Sequence, residues 1–384
     1  MSANVPSILE ASVAEGYAPG MVALVGRGES AEVDAVGRMA FEADAPMQRD
    51  AIFRIASMTK PITAVATLML IEDGKLALDE PVDRLLPELA GRRVLRSIAG
   101  PVDDTVPAYR PITVEDLLTF RMGLGILFGG PEQYPILGPI AERKLAGFGA
   151  PRPDQDYGPD EWMRRLGELP LMAQPGERWL YTAPSNVLGV LIARASGQSF
   201  PNFLRTRLFE PLGMTDTAFF APPGKLDRLT AHYWNIPDGP QLNDADYSVP
   251  PSFPAGDAGL LSTAADIFAF SRFMLSRGVA ADGRRLLSEG SIAAMTRDHL
   301  TAEQRAGAVP ILATDQGWGY GVALMLEGSP DGVPAGAFGW NGGLGTSWVM
   351  DPGSDTTAIL LTPTGFTGPD PPPVHKAFWR VVFG

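Results

Sequence analysis

Apolar positions along this chain alternate between two rhythms, and the change of rhythm marks its elements. Val5, Ile8, Leu9 and Val13 recur at helical spacing, which predicts an amphipathic helix over 5–16. Met21–Gly26 and Ala31–Gly37 read as two strands joined by the Arg27–Ser30 turn, an antiparallel hairpin. A helical run then opens at Ser57 and closes near Gly74, carrying Ile62, Val65, Leu68, Met69 and Ile71. Ala51-Ile-Phe-Arg-Ile-Ala56 leads into it, so this helix is expected to be largely buried. The stretch from Leu76 to Leu86 is punctuated by Pro81 and followed by Pro87. Ile112–Thr119 reads as a further helix capped by Thr113, and helical signals return at 160–168, 184–196, 199–208 and 263–276. The C-terminal part turns strand-like at Trp318–Met325, Thr346–Met350 and Thr357–Thr362, before a last helix from about 371.

Strands at both ends enclosing a helical middle predict an α/β (α+β) fold in which one antiparallel sheet is built from both termini and flanked by helices. The expected division is a sheet domain from 1–60 and 256–384, with 61–255 inserted as a mainly helical region. Within that insertion, residues 123–160 are rich in Gly and Pro, with Phe128, Tyr134, Ile136, Phe148 and Tyr157 interspersed. So many large apolar side chains in one long loop suggest the rim of a site.

Composition narrows the function. The 384 residues carry a net charge of −13, which argues against a nucleic acid or an anionic membrane surface as partner. There is no cysteine, so disulfides, thiol catalysis and thiolate metal sites are excluded. The first residues lack both a basic start and an apolar core, so a cytoplasmic location is expected, and the apolar runs are too short to span a bilayer. The oligomeric state is left open. Only His232, His299 and His375 occur, without H-x-x-x-H spacing and without a G-x-S-x-G elbow. They are read as structural or exposed rather than catalytic, and no metal or organic cofactor is signalled.

The chemistry concentrates at Ser57-Met-Thr-Lys60, the one S-x-x-K of the chain. Residues three apart on a helix share a face, so the Lys60 amine can reach the Ser57 hydroxyl. Free N–H groups at a helix start can hold developing negative charge, and a neighbouring base is what makes a serine nucleophilic. Lys60 is one of only five lysines and lies in apolar surroundings. Desolvation there would favour the neutral amine that base chemistry needs. On these residues alone, a helix cap followed by a structural lysine is an equal reading.

Further blocks change that balance. Phe53-Arg-Ile-Ala-Ser57-Met-Thr-Lys60, Ile112–Leu124, Pro175-Gly-Glu-Arg-Trp-Leu-Tyr181 with Val187–Ile192, Phe209–Asp216, Gly259–Asp266 and Phe338-Gly-Trp-Asn-Gly-Gly343 follow one another in order. Together they resemble the serine β-lactamase/penicillin-binding family, in particular the class C-like branch that includes family VIII carboxylesterases. The resemblance implies Ser57 as nucleophile and Lys60 with Tyr181 as a coupled base and acid; a cation such as Lys60 can stabilise a Tyr181 phenolate, and which of the two holds the proton is left open because coupled groups titrate as a unit. It implies an oxyanion hole from the backbone N–H groups of Ser57 and Gly343, and places Trp340, Asn341 and Gly342 beside the substrate; Phe128 and Tyr134 are candidate substrate contacts from the composition of the 123–160 loop alone.

Two departures bear on the substrate. The position two after the tyrosine, usually asparagine, is Ala183, and the third motif begins with Trp340 in place of lysine. One amide and one cation suited to an acylamino carboxylate substrate are absent, and an aromatic wall stands instead. Asn186 could supply an amide from a shifted position. The expected function is a serine esterase acting on small-molecule esters of short to medium acyl chains. An acyltransferase using the same acyl-enzyme, a β-lactamase or D,D-peptidase, and a binding protein that keeps the fold are the alternatives.

Overall fold

The computed structural model describes residues 4–148, 154–237 and 239–384. Asn4 caps α1 (Val5–Ala14), and the hairpin β1 (Gly20–Arg27) and β2 (Ser30–Gly37) follows, with Arg27 paired to Ser30 as the turn predicts. Next come α2 (Thr59–Glu72), α3 (Ala183–Ser196) and α4 (Ala264–Leu275). The C-terminal part supplies β3 (Gln316–Trp318), β4 (Ala323–Met325), β5 (Phe338–Gly342), β6 (Thr346–Asp351), β7 (Thr356–Leu361) and α5 (Pro373–Phe383).

These strands form one antiparallel sheet in the order β2-β1-β7-β6-β5-β4-β3, so the N-terminal hairpin is zipped onto the C-terminal strands. Val22 lies opposite Leu361 and Arg27 opposite Thr356. Period-two alternation divides β1 between two apolar layers. Met21 and Ala23 pack with Leu9 and Phe378 under α1 and α5, whereas Val22 and Leu24 join the main core with Phe270 of α4. A strand enclosed on both faces needs apolar residues throughout, and every residue of β7 is buried.

The middle of the chain is helical where expected. Thr113 caps Val114–Leu118 reciprocally with Asp116, and Pro159–Gly167 forms the helix predicted at 160–168. The stretch predicted as a helix over 199–208 runs Phe200–Leu204 and then loosens into a π-turn over Arg205–Phe209. Three differences have physical causes. Trp318–Met325 is two short strands, because Gly321 adopts φ +68° and turns the chain back on itself. The 123–160 segment contains a helix, Leu137–Glu142. Short helices at Glu289–Met295 and Ala302–Ala308 carry too few turns to show a period.

α2 places the site. All residues from Thr59 to Leu70 are buried, including Lys60, so it is a core helix enclosed on every side. β5, an interior strand between β6 and β4, packs along the turn that precedes α2.

Candidate active site

The chain entering Ser57 is clamped before the helix begins. Phe53–Arg54 pairs with Leu261–Ser262, the Ile55 N–H donates to the Leu260 carbonyl at 3.1 Å, and the Leu260 N–H donates to Thr59 Oγ1 at 3.2 Å. Ala56 is held at φ +44°, a left-handed conformation that costs a residue with a side chain of order 1 kcal/mol. Ser57 therefore stands on a tight turn, Ala56–Met58, running directly into α2.

Lys60 lies one helical turn further on and is 1% exposed. Its Nζ is 2.9 Å from Ser57 Oγ and donates to the Asp257 carbonyl at 2.8 Å. Loss of hydration pushes its pKa down to about 8, against the opposing pull of the Asp257 carboxylate. The expectation of a buried, partly neutral lysine holds.

Tyr181 comes from the segment before α3, where Thr182 is held at φ +85°. The rim loop docks on it from behind, the Ile126 N–H donating to the Tyr181 carbonyl at 3.0 Å. Its ring sits in a box of Phe120, Trp179, Trp318 and Trp340. Lys60 Nζ lies 4.4 Å from the ring centroid. Trp340 Nε1–H donates to Tyr181 Oη at 2.5 Å. Burial raises the Tyr181 pKa above that of a free phenol, outweighing the lowering contributions of Ser57 and Trp340. The sequence leaves open which of the pair holds the proton. Burial here disfavours both the Tyr181 phenolate and the Lys60 ammonium that lies near its ring.

β5 brings the third motif to the turn. Trp340 pairs with Trp348, and its indole is largely buried against Tyr181 and Trp318. Its edge is thus engaged with the tyrosine oxygen, a partnership that the substitution of lysine by tryptophan did not disclose. Asn341 is half-buried. Gly342 is pressed on the chain entering the Ala56–Met58 turn: a Cβ there would stand 2.2 Å from the Ile55 carbonyl oxygen, so no larger residue fits without moving the strand. Gly343 opens the following turn and faces open space. Its carbonyl accepts from the Phe366 N–H at 2.9 Å, and the next carbonyl, of Leu344, lies 3.2 Å from His232 Nε2. The other histidines are tied elsewhere, His299 to the Ala294 carbonyl and His375 to Ser347.

The rim reading divides. Phe128 is 53% exposed, two residues beyond the loop's contact with Tyr181. Tyr134 Oη accepts from Gln133 Nε2 at 3.0 Å, which ties it to its own loop. Ile136 and Tyr157 are core residues, and Phe148 packs against the same core, so these three do not line an entrance. Residues 149–153 of the predicted rim lie outside the described residues.

The sequence reading missed several participants. Phe120, Trp179 and Trp318 build the aromatic box from three separate blocks and carry no local pattern that would join them. Asp257 is 4% exposed beside Lys60, signalled only as a lone charge inside Gly256-Asp257-Ala258-Gly259. Asn186, which the sequence did offer as an amide from a shifted position, is 1% exposed, and its Oδ1 accepts from the Asp257 N–H at 3.1 Å. Its amide oxygen therefore holds the backbone near Lys60. Among the described residues no group of three His, Cys, Asp or Glu side chains is placed to hold a metal.

Comparison with known proteins places this geometry. Residues 5–377 match the family model described as Beta-lactamase. The Mycobacterium tuberculosis protein Rv1367c is 37% identical over 377 residues, spanning 94% of this chain and 89% of its own. Esterase EstB of Burkholderia gladioli is 31% identical over 397 residues, 96% of this chain and 92% of its own. Among solved structures, EstCE1, described as a hydrolase with promiscuous acyltransferase activity, superposes with a TM-score of 0.82 at 23% identity, covering 99% of this chain and 97% of the other. That last likeness concerns the fold. The clamped serine, the buried lysine at its side and a match running almost end to end lead to one assignment: this chain belongs to the beta-lactamase family, whose fold is shared by serine hydrolases with esterase and acyltransferase relatives.

Proposed function

We propose that the chain is a serine carboxylesterase that cleaves esters of short to medium acyl chains through an acyl-enzyme on Ser57. The observation that carries this reading is the 2.9 Å approach of Ser57 Oγ to a lysine amine held almost completely out of water. EstB, an esterase by name, supports it as a relative over most of both chains.

Hydrogen-bond directions order the protons. The Trp340 N–H is a donor only, so Tyr181 Oη accepts there and retains its own O–H for Ser57. The Ser57 proton then points to the neutral amine of Lys60. Lys60 removes it as Oγ attacks the ester carbonyl, and the developing oxyanion takes the backbone N–H groups of Ser57 and Gly343. Tyr181 donates its proton to the departing alkoxide and is reprotonated from the Lys60 ammonium. Water then repeats the sequence on the acyl-enzyme, and no cofactor enters. An acceptor alcohol in place of water would make the same intermediate an acyltransferase. The apolar box around Tyr181, on the leaving-group side, is the feature that favours this second reading.

The Trp340 contact makes a separate prediction. Trp340→Phe keeps a ring but removes the donor that orients Tyr181. It should lower kcat for ester hydrolysis by about ten- to a hundredfold, the scale of one hydrogen bond lost in a buried site, and lower the melting temperature modestly because the smaller ring leaves part of the indole's volume empty. Unchanged kcat would remove Trp340 from the proton relay.

The substrate class is tested by following p-nitrophenyl butyrate and a chromogenic cephalosporin side by side. Ester turnover should dominate, because the cation and amide suited to an acylamino carboxylate are replaced by Trp340 and Ala183. Preferential cephalosporin turnover would refute the esterase reading.

A further inference from the structure

His232 is a buried ionisable side chain that the mechanism leaves unused, and its ring is bonded to the turn that carries Gly343. The strands Tyr233–Ile236 and Gly239–Leu242 pair antiparallel and bring Asn243 back to it, the Asn243 N–H donating to the His232 carbonyl at 2.7 Å. The Asn243 side chain is oriented by a second bond, its Oδ1 accepting from the Ala245 N–H at 3.2 Å. Its amide nitrogen therefore faces the imidazole, 3.3 Å from Nδ1. An amide NH2 only donates, so Nδ1 is the acceptor and carries no proton. The ring proton sits on Nε2, which donates to the Leu344 carbonyl at 3.2 Å. Burial also keeps the ring neutral, drawing its pKa down to about 3.

That carbonyl is the start of a short relay. Leu344 C=O and Gly345 N–H belong to one planar peptide group, and the Gly345 N–H donates to the Gly342 carbonyl at 3.0 Å. Gly342 C=O in turn shares its plane with the Gly343 N–H, so fixing the oxygen aims the hydrogen on the opposite side. His232 thus holds the first peptide, and the first peptide holds the second. Each bond in such a series also polarises the next. Phe366 and Thr362 secure the Gly343 and Gly345 carbonyls at 2.9 Å, which leaves the Leu344 carbonyl to the histidine. Among the described residues the Gly343 N–H has no acceptor, and its position faces open space.

Resting on the esterase reading, in which the Gly343 N–H serves the oxyanion, we propose that His232 is a positioning residue: locked by Asn243 with its proton on Nε2, it aims that N–H through two peptide groups. The imidazole touches neither substrate nor reacting atoms and exchanges no proton. Its contribution is realised when negative charge develops on the ester oxygen, because a donor already aimed needs no reorganisation at that moment.

The test reads the oxyanion directly. His232→Phe keeps a ring and removes the donor, and kcat/KM for p-nitrophenyl butyrate should fall roughly ten- to a hundredfold, less than the outright loss of an oxyanion donor. Affinity for a trifluoromethyl ketone, whose hemiketal on Ser57 places an oxyanion at the same point, should fall by the same factor. His232→Gln returns an N–H donor near the Nε2 position and should recover most of both. A histidine that only supports packing would lower the melting temperature and leave both readouts in place. Asn243→Ala, at a half-buried position, frees the tautomer and should lower both severalfold, which serves if the phenylalanine variant does not fold. Independently of activity, 15N labelling of the three histidines, with His232 assigned by its loss in His232→Gln, should show protonated Nε2 and bare Nδ1. A proton on Nδ1 would overturn the proposal. So would kcat/KM and ketone affinity within about twofold of wild type in whichever of the two variants folds, or losses in His232→Phe that glutamine does not recover. Ester turnover that survives Ser57→Ala would instead overturn the esterase reading, and the proposal with it.

Discussion

Ser57→Ala is expected to reduce ester hydrolysis by roughly four to six orders of magnitude, the scale seen when a covalent nucleophile is removed from a preorganised site. The size of the effect follows from what the surroundings are built to do. The turn at Ala56 is strained, the entering chain is clamped by the Leu261–Ser262 strand, and a buried amine waits 2.9 Å away. None of this accelerates water attack once Oγ is gone. Fold stability should change by about 1 kcal/mol or less, because the hydroxyl is half-buried and its loss leaves the core intact. Steady-state turnover of p-nitrophenyl butyrate, beside a thermal melt, checks both halves. Activity within tenfold of wild type would show that Ser57 is not the nucleophile.

Lys60→Met should be nearly as damaging to activity, by about a thousandfold or more, and yet no less stable than the wild type at pH 7. The second half follows from linkage. The folded protein holds Lys60 at about 8 against a free value of 10.5, so the fold disfavours the ammonium. The unfolded chain binds more protons between these values, and stability rises with pH across that window. Below pH 8 the penalty is fully present, on the order of 3 kcal/mol from the size of the shift, and above 10.5 it is gone. Methionine avoids that penalty but gives up the contacts to Ser57 Oγ and the Asp257 carbonyl. The variant is therefore expected to compare best with the wild type at or below pH 7 and to lose that advantage by pH 10.5. Melts across that range test the sign. A variant that becomes relatively more stable at high pH would show that the folded state favours a charged Lys60. In the wild type the same group predicts that kcat/KM rises with pH through about 8.

Much of this was legible in the residues themselves. The hairpin of β1 and β2 and the burial of α2 follow from local periodicity, which is strong wherever an element runs for two turns or five residues. The Ser57–Lys60 contact was legible because residues three positions apart across a helix start determine their own geometry. Contacts between distant segments were not. The Trp340–Tyr181 bond joins residues 159 apart, and Asp257 reaches Lys60 across 197 positions. No pattern within either segment encodes such a meeting. Composition also misled where burial decides. Ile136 and Tyr157 lie in a Gly- and Pro-rich stretch that reads as a surface rim, yet both are core residues. A lone aspartate between Gly256 and Ala258 carries no visible mark of chemistry until the fold sets it beside an amine.

The account stands on Ser57 being the activated serine, and the most direct test is to inactivate the protein with a fluorophosphonate and map the adduct by peptide mass spectrometry. One adduct per chain is predicted, on the peptide containing Ser57, forming in step with loss of esterase activity and faster as pH rises through 8. Loss of activity with the label on another serine, or full activity with Ser57 labelled, would contradict it.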